Sequence, residues 1–378
     1  MVRFRFLLFL LLAIGCLFCT QGLRAQSLSA QGLPFELQGG IGAIWAHNEK
    51  ADNLVQSHPI SGYVQAWPHA WQRLAGKRES VRFGVSLGYI ASGQPQILGS
   101  YIPIELHSRR HYGQKTGKGF YTDLGAGFAY GNRPFRAETN PTNGALGSHV
   151  SAALRYSLCY AIPLGTNSVA HSRANPGAKA GSLTLGLFMA HCSAAALRLP
   201  NAGINMFGAS IGYQIGQPES DPKQQAMADS SRPKRWQIWT LAAGGAKSID
   251  YHPAPLYGCA QASLGIAYSL HRNAITLSAD YLYNASLRPE GRRLGYPVAY
   301  PARLGLAIGH RWVIAKPLYF SIALGAYIHN PLPILNKPIY QQYTVQFRAH
   351  KALSPSIMLR AHYGQADCAL IGLVWRWW

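Results

Sequence analysis

A histidine and a serine two residues apart, His191 and Ser193, are the residues of this sequence best suited to chemistry. They follow a stretch from Leu183 to Met189 in which leucines alternate with small or polar residues, a pattern that predicts a β-strand. Because every second side chain of a strand shares a face, His191 and Ser193 continue the apolar face. An imidazole beside a hydroxyl indicates nucleophilic catalysis, in which the histidine takes the hydroxyl proton.

The residues around this pair resemble the lipid A 3-O-deacylases, also called PagL-like acyloxyacyl hydrolases. The family pattern places His-x-Ser before Pro-Asn and Gly-Ile, and it falls here on His191, Ser193, Pro200, Asn201, Gly203 and Ile204. The stretch from Leu359 to Asp367 is similar to the end of the longer, Bacteroidetes-type outer-membrane members. We therefore expect the resemblance to extend over most of the chain.

The resemblance implies an outer-membrane β-barrel that removes an ester-linked acyl chain from lipid A, with Ser193 as nucleophile and His191 as base. Two positions depart from the family pattern: Ala194 replaces the asparagine after the serine, and Asn205 replaces the acid of the shorter relatives. Asn205 can accept from the imidazole N–H, but it adds no charge that would stabilise the imidazolium. Asn201 or backbone amides are the candidates for holding the oxyanion.

The first 25 residues have the pattern of a secretory signal peptide. Arg3 and Arg5 precede an apolar run, and Ala25 ends a plausible cleavage site. A lipoprotein signal ending at Cys16 is the alternative. Since no later apolar run reaches the roughly 18 residues of a membrane helix, the mature chain would span a membrane as strands.

Composition favours the same class of protein. Charged residues make up 13% of the chain, against about 25% in ordinary soluble domains, while glycine and tyrosine are abundant. The formal net charge of +21 indicates an anionic partner. A signal peptide and the lack of a nucleic-acid-binding motif favour lipid A or lipopolysaccharide over nucleic acid. The predicted location is therefore the bacterial cell outer membrane.

The cysteines outside the signal peptide indicate neither a metal site nor a disulfide framework. Cys159, Cys192, Cys259 and Cys368 fall in separate strand-like segments without metal-ligand spacing, so we interpret them as small apolar side chains. The sequence also lacks a Gly-rich phosphate loop, a zinc motif and a G-x-S-x-G motif. We therefore predict no cofactor and no metal ion.

The elements that must position the pair are about sixteen segments of 10 to 15 residues, an even number typical of bacterial barrels. In one of them, alternate residues from Ile275 to Tyr283 are apolar and those between them are mostly polar. A soluble β-sandwich shows the same alternation. Strand length, the even number and the terminal Trp375, Trp377 and Trp378 favour an antiparallel transmembrane β-barrel.

The chain divides into four parts by this pattern. Residues 1–25 form the signal peptide, 26–216 the deacylase half with the His-x-Ser hairpin, 217–235 a polar connection, and 236–378 a second half that ends in an aromatic strand. We expect one barrel of sixteen strands, with two tandem eight-stranded barrels as the alternative. The strand count puts the His191 hairpin at the outer end.

A second interpretation of function is a non-catalytic outer-membrane barrel, either a channel or a surface-binding protein, derived from the same family. This interpretation is supported by Ala194 and Asn205, the two positions that differ from the family pattern. In the second half, His362 resembles His191 in its sequence context, but Gly364 stands where a serine would be needed. We therefore interpret the second half as a scaffold.

Overall fold

The structure is a computed structural model in which sixteen strands account for most of the residues that it describes. It describes residues 34–45, 54–55, 58–68, 71, 81–112, 118–164, 181–215, 236–250, 255–270, 273–314, 318–335, 338–363 and 365–377. The predicted signal peptide and the predicted connection at 217–235 lie outside these residues. No helix within the described ranges has the length and apolar character needed to cross a membrane.

Eight strands precede the 217–235 connection and eight follow it. The first eight are β1 (Phe35–Trp45), β2 (Ile60–Ala66), β3 (Val81–Ala91), β4 (Ser100–Tyr112), β5 (Gly119–Gly131), β6 (Val150–Leu164), β7 (Gly181–Ser193) and β8 (Ile204–Ile215). The second eight are β9 (Trp236–Lys247), β10 (Tyr257–Leu270), β11 (Asn273–Asn284), β12 (Ala302–Val313), β13 (Leu318–His329), β14 (Ile339–Phe347), β15 (Leu353–His362) and β16 (Gln365–Arg376).

Each set of eight strands closes into its own antiparallel barrel. In the first barrel β1 pairs with β8 along its full length, from Phe35 opposite Ile215 to Trp45 opposite Asn205. Since β7 occupies the other edge of β8, both edges of that strand are used before the chain reaches β9. The expected single barrel of sixteen strands is therefore wrong, and the alternative of two tandem eight-stranded barrels is confirmed. The closed barrels also exclude the β-sandwich.

The outer surface of the first barrel is apolar and its interior is polar. Ile41, Phe128 and Leu187 point outward and are 60 to 66% exposed. Glu36 and Arg155, which alternate with outward residues on their strands, are buried inside. A soluble protein has the opposite arrangement, with charges outside and apolar side chains within. The alternation matches that of a barrel with an apolar surround and a polar lumen.

Arg109 on β4 is the centre of the polar network inside the first barrel. Its guanidinium group donates to Glu36 at 2.8 Å and to Asp123 at 2.8 Å. It lies between the rings of Trp67 and Tyr121, with centroid distances of 4.2 and 4.1 Å. Both carboxylates are thereby paired with a cation, which a charge needs when it is buried.

Arg155 on β6 extends this network toward the other end of the lumen. It donates to Glu105 at 3.2 Å and to Gln38 at 2.7 Å, and it lies 4.1 Å from the centre of the Tyr63 ring. An eight-stranded barrel has an interior just wide enough for side chains to fill. The two arginines and their partners fill it here.

The second barrel has a similar buried ion-pair group around Asp367. The Asp367 carboxylate accepts from Lys247 at 2.6 Å and from Arg360 at 3.1 Å. A short helix, α1 (Leu287–Arg293), follows β11 at this end, and its Leu287 is fully buried. We call this end, which carries the β9–β10, β11–β12, β13–β14 and β15–β16 connections, the loop end, and the opposite end the turn end. A 3-10 helix at Pro333–Leu335 also lies at the loop end.

The four cysteines of the described residues are all free and buried. Cys192 packs with Ala129 and Ala153, and Cys159 packs with Tyr121 and Ala161. They act as the small apolar side chains that their scattered positions predicted.

We predict that Arg109→Gln destabilises the first barrel by about 3–5 kcal/mol, because it leaves Glu36 and Asp123 buried without their cation. Urea unfolding in detergent micelles, followed by tryptophan fluorescence, measures this change. The control is Arg110→Gln, because Arg110 is exposed on the outer face of the same strand. Equal midpoints for the two variants would contradict a stabilising role for the network.

Candidate active site

His191 lies near the end of β7 on the outward face of the first barrel. It has the same orientation as Leu187 and Met189, which are exposed on that face. Its cross-strand neighbours are Leu154 on β6 and Asn205 on β8. The imidazole is half-buried at the end of an apolar strip.

The His191 imidazole contacts Asn205 through one ring nitrogen. The distance from His191 Nδ1 to Asn205 Oδ1 is 2.7 Å, and the two residues are direct partners in the β7–β8 register. Because an amide oxygen only accepts, Nδ1 donates to Asn205, and in the neutral imidazole the lone pair is then on Nε2. This is the tautomer that a general base requires.

Ser193 is the last residue of β7 and is 6% exposed. Its position relative to His191 is defined by Gly203, which lies against both residues. A Cβ atom placed on Gly203 would be 2.9 Å from His191 Cε1 and 3.4 Å from Ser193 Cβ. The imidazole carbon next to Nε2 and the carbon that bears the hydroxyl therefore border the same small space.

The loop from Ala194 to Gly203 has an unusual backbone directly after the pair. Ala195 and Ala196 have φ values of 50° and 64°, and Gly203 has a φ of 76°. Non-glycine residues seldom adopt this left-handed region, and such residues concentrate at functional sites. The sequence motif contained Gly203, but nothing in it indicated the two strained alanines.

The β5–β6 loop packs against this segment and supports it. Gly203 N donates to Ala145 O at 3.0 Å. Asn143 shapes the β5–β6 loop, because its Oδ1 accepts from the amides of Ala145 and Leu146, and its Nδ2 donates to Arg133 O at 2.7 Å. Asn143 is fully buried. Sequence reasoning missed this residue, and its only signal was a turn-forming Asn-Gly pair.

The site lacks an evident side-chain donor for the oxyanion among the described residues. Ala194, at the family's asparagine position, is buried and has no donor beyond its backbone amide. Asn201 is half-buried, and its Oδ1 atom is enclosed without a hydrogen-bond partner among the described residues. The backbone amides of the loop are therefore the remaining candidates for hydrogen-bond donors to the oxyanion.

A Ser-His-Asp arrangement, distinct from the His191 pair, lies inside the first barrel. His107 Nε2 is 2.6 Å from Ser86 Oγ, and His107 Nδ1 is 2.8 Å from Asp123 Oδ1. Sequence reasoning did not find it, because the three residues lie on three different strands. Ser86 is only 1% exposed, and Asp123 is also an acceptor for Arg109. An acyl chain cannot reach this hydroxyl, so we interpret the group as part of the lumen network.

His362 differs from His191 in its surroundings. It is buried in the lumen of the second barrel, where its Nε2 lies 2.9 Å from the Tyr327 hydroxyl. His191 instead faces outward, so the likeness of the two segments is confined to the sequence. Across the described ranges, no three His, Cys, Asp or Glu side chains are grouped in a way that could hold a metal ion.

A hydrogen bond joins the second barrel to the loop that carries Ala195 and Ala196. Ser248 N, in the β9–β10 connection, donates to Ala196 O at 2.9 Å. The same connection holds Asp250, which forms a bidentate ion pair with Arg293 of α1 at 2.6 and 2.7 Å. The hydrogen bond from Arg293 lowers the pKa of Asp250, so the carboxylate keeps its charge to a lower pH than an unpaired aspartate does.

We predict that Gly203→Ala is more harmful than Gly295→Ala, although the two glycines have similar φ values of 76° and 74°. Both variants incur the left-handed cost of about 1–2 kcal/mol. Only at Gly203 would the methyl group also press on His191; at Gly295 it would meet no described atom within 4 Å. Thermal unfolding in micelles measures the difference. Equal losses of stability would show that the Gly203 site has room for a methyl group.

Comparisons with known proteins support one family. The family model described as "Acyloxyacyl hydrolase, C-terminal domain" matches residues 236–378, which contain the second barrel. The His191 hairpin lies outside the matched residues. No curated protein matches the chain.

Two solved structures are aligned over 92% of this chain and 99% of their own chains. One is titled "Asymmetric conductivity of engineered proteins", with 8% identity and a TM-score of 0.20. The other is a triple mutant of Rhodopseudomonas blastica porin, with 8% identity and a TM-score of 0.19. The match of residues 236–378 to the acyloxyacyl hydrolase C-terminal domain supports a PagL-like family for the protein.

Proposed function

We propose that this protein is an outer-membrane esterase that removes an ester-linked acyl chain from lipid A, with Ser193 as the nucleophile and His191 as the general base. The observation that carries the proposal is the 2.7 Å contact of His191 Nδ1 with Asn205 on an outward, apolar face. Gly203 lies close to both His191 and Ser193. The family match of the second barrel supports the hydrolase class.

In the first step Ser193 Oγ attacks the ester carbonyl, and His191 Nε2 takes the hydroxyl proton. The tetrahedral intermediate then breaks its bond to the sugar oxygen, which leaves with the proton from His191. In the second step a water molecule attacks the carbonyl of the acyl-serine and gives a proton to His191. The bond from the acyl carbon to Ser193 Oγ then breaks, and Oγ takes that proton from His191. The products are a free fatty acid and lipid A with one free hydroxyl group.

Asn205 orients the imidazole during both steps. Its side-chain oxygen keeps the proton on Nδ1, so Nε2 can accept the proton from Ser193. As a neutral group, it stabilises the imidazolium less than a carboxylate would. The enzyme is therefore expected to be slower than a relative with an acid at this position.

The apolar surroundings of the pair suit a substrate that stays in the bilayer. Leu154 on β6 is the cross-strand neighbour of His191, and Trp45 on β1 is the neighbour of Asn205. The Trp45 ring packs on Phe207 with a centroid distance of 5.5 Å. These side chains form an apolar surface along which an acyl chain could lie with its ester at the barrel end.

The same surface supports an outer-membrane location. Large apolar side chains cover the outside of both barrels; Leu187 in the first and Ile371 in the second are 66 and 73% exposed. Signal-peptide cleavage near Ala25 would deliver the chain to the periplasm. The net charge of +21 suits the phosphates of lipopolysaccharide.

The second candidate is a surface-binding barrel without activity. A channel is disfavoured, because side chains occupy the interiors of both barrels. Arg109 and Arg155 lie in the first interior, and Arg360 and Asp367 lie in the second. The binding form is favoured by Ala194, which brings no side-chain donor to an oxyanion.

We predict that Ser193→Ala abolishes deacylation, since the nucleophile is lost, while barrel folding is retained. Mass spectrometry of lipid A from cells that produce each variant measures the loss of one ester-linked acyl chain. The matched control is Ser151→Ala. Ser151 lies at the same barrel end with similar burial but on the inward face, so its replacement should leave cleavage unchanged. Cleavage by the Ser193→Ala variant would remove Ser193 as nucleophile, and unchanged lipid A with the unmodified protein would favour the binding barrel.

We predict that Asn205→Asp raises kcat at least about tenfold, because a carboxylate stabilises the imidazolium that forms in the transition state. Asn205→Leu should lower kcat by a similar or larger factor, since Nδ1 loses its acceptor. Release of fatty acid from purified lipid A in micelles, followed over time, measures both. A rate that is the same in all three proteins would exclude Asn205 from the mechanism.

A further inference from the structure

Three arginines surround one tyrosine at the turn end of the second barrel. The guanidinium carbons of Arg376 and Arg311 lie 4.9 and 5.8 Å from the centre of the Tyr319 ring. Arg348 donates from Nη1 to the Tyr319 hydroxyl at 3.3 Å. We call Arg311, Arg348 and Arg376 the arginine cluster. Arg311 and Arg376 are buried, and Arg348 is exposed at the rim.

The described part of this barrel supplies no carboxylate to the arginine cluster. Its four acidic residues are engaged elsewhere. Asp367 accepts from Lys247 and Arg360, Asp250 pairs with Arg293, Glu290 accepts from Ser286, and Asp280 accepts from Tyr340 and Gln342. The hydrogen bonds described for Arg311 and Arg376 go to neutral amides, those of Gln237 and Gln346.

Several buried polar groups beside the cluster have no hydrogen-bond partner within the described ranges. They are Arg376 Nη1 and the hydroxyls of Ser354 and Ser356. Ser356 is the direct cross-strand partner of Gln346, which accepts from Arg376 at 3.2 Å. A buried donor without a partner costs about 1–3 kcal/mol, and more when it is charged. These groups are therefore suited to an additional acceptor.

The positive charges of the three arginines also favour an additional, negatively charged acceptor. Arg311, Arg348 and Arg376 all contact Tyr319, so three positive charges lie close together and repel one another. A cluster of positive charges at the mouth of a low-dielectric lumen is stabilised by a bound anion. The planar guanidinium fork matches the oxygens of a phosphate group, and hydroxyls can complete the ligand shell.

We propose that the arginine cluster is a binding site for a phosphate-type oxyanion at the turn end of the second barrel. Arg376 and Arg311 contact it from the lumen, Arg348 closes it at the rim, and Ser354 and Ser356 donate from β15. The site is separate from the His191 pair, and it does not depend on the proposed esterase activity. The anion is either a soluble phosphate or the phosphate of a lipid headgroup, since both present the same oxygens.

The test uses the full-length mature chain in a neutral maltoside detergent, with inorganic phosphate as the probe and potassium chloride at matched ionic strength as reference. We expect a saturable rise of Tm with phosphate, because a ligand that binds the native state stabilises it. Arg376→Gln and Arg348→Gln should each raise the half-saturating phosphate concentration at least about tenfold, which corresponds to one lost charged hydrogen bond.

The matched control is Arg303→Gln. Arg303 is a buried arginine of the same barrel that also lies over a tyrosine, 5.1 Å from the Tyr327 ring, but it lies at the loop end. The Arg303→Gln variant should show the same dependence of Tm on phosphate concentration as the unmodified protein. General salt effects would act on all variants alike. If Arg376→Gln does not fold, Arg348→Gln carries the test, because its side chain is exposed.

A second arm compares vesicles of phosphatidylglycerol with vesicles of phosphatidylcholine. A rise of Tm that needs anionic vesicles and Arg348 would assign the site to a lipid headgroup phosphate. A rise with inorganic phosphate in micelles would assign it to a soluble anion. The proposal is overturned if Arg376→Gln, Arg348→Gln and Arg303→Gln all show the unmodified response in both arms, or if chloride alone gives the same rise.

Discussion

The rest of this structure depends on one constraint: each sheet must close into a barrel so that the backbone hydrogen bonds of every strand edge are paired. An open strand edge leaves a row of unpaired amides and carbonyls, and an apolar surround offers no water to satisfy them. Here β1 closes on β8, and β9 closes on β16, so every strand has two paired neighbours. Once the first closure forms, the chain must begin a new barrel, and two narrow barrels result.

The same closure brings the candidate catalytic residues together. His191 and Asn205 are 14 residues apart in sequence, yet the β7–β8 register makes them direct neighbours at 2.7 Å. A shift of that register by one residue would turn Asn205 to the lumen, because strand side chains alternate. The turn with positive φ at Ala195 and Ala196 follows Ser193 directly, and the β5–β6 loop holds Gly203, which lies close to both His191 and Ser193.

Narrow barrels also explain where the charges lie. With eight strands the interior holds side chains rather than a water channel, so each buried charge needs a partner. Arg109 and Arg155 have carboxylate partners in the first barrel, and Asp367 has cationic partners in the second. The arginine cluster at the turn end departs from this pattern, because its described partners are neutral. That contrast is the physical reason to look for an external anion there.

The sequence by itself determined the strands, their alternation and the hairpin that carries His191 and Ser193, because these depend on periodicity and turn residues within short stretches. It predicted strands through Leu183 to Met189 and through Ile275 to Tyr283, which lie within β7 and β11 of the structure. Only the tertiary structure decided between one barrel and two, since closure of β1 on β8 joins residues about 170 apart that local patterns cannot pair. The contact of Gly203 with His191, the support from Asn143 and the three arginines around Tyr319 were likewise decided by strand register, which places residues from distant segments side by side.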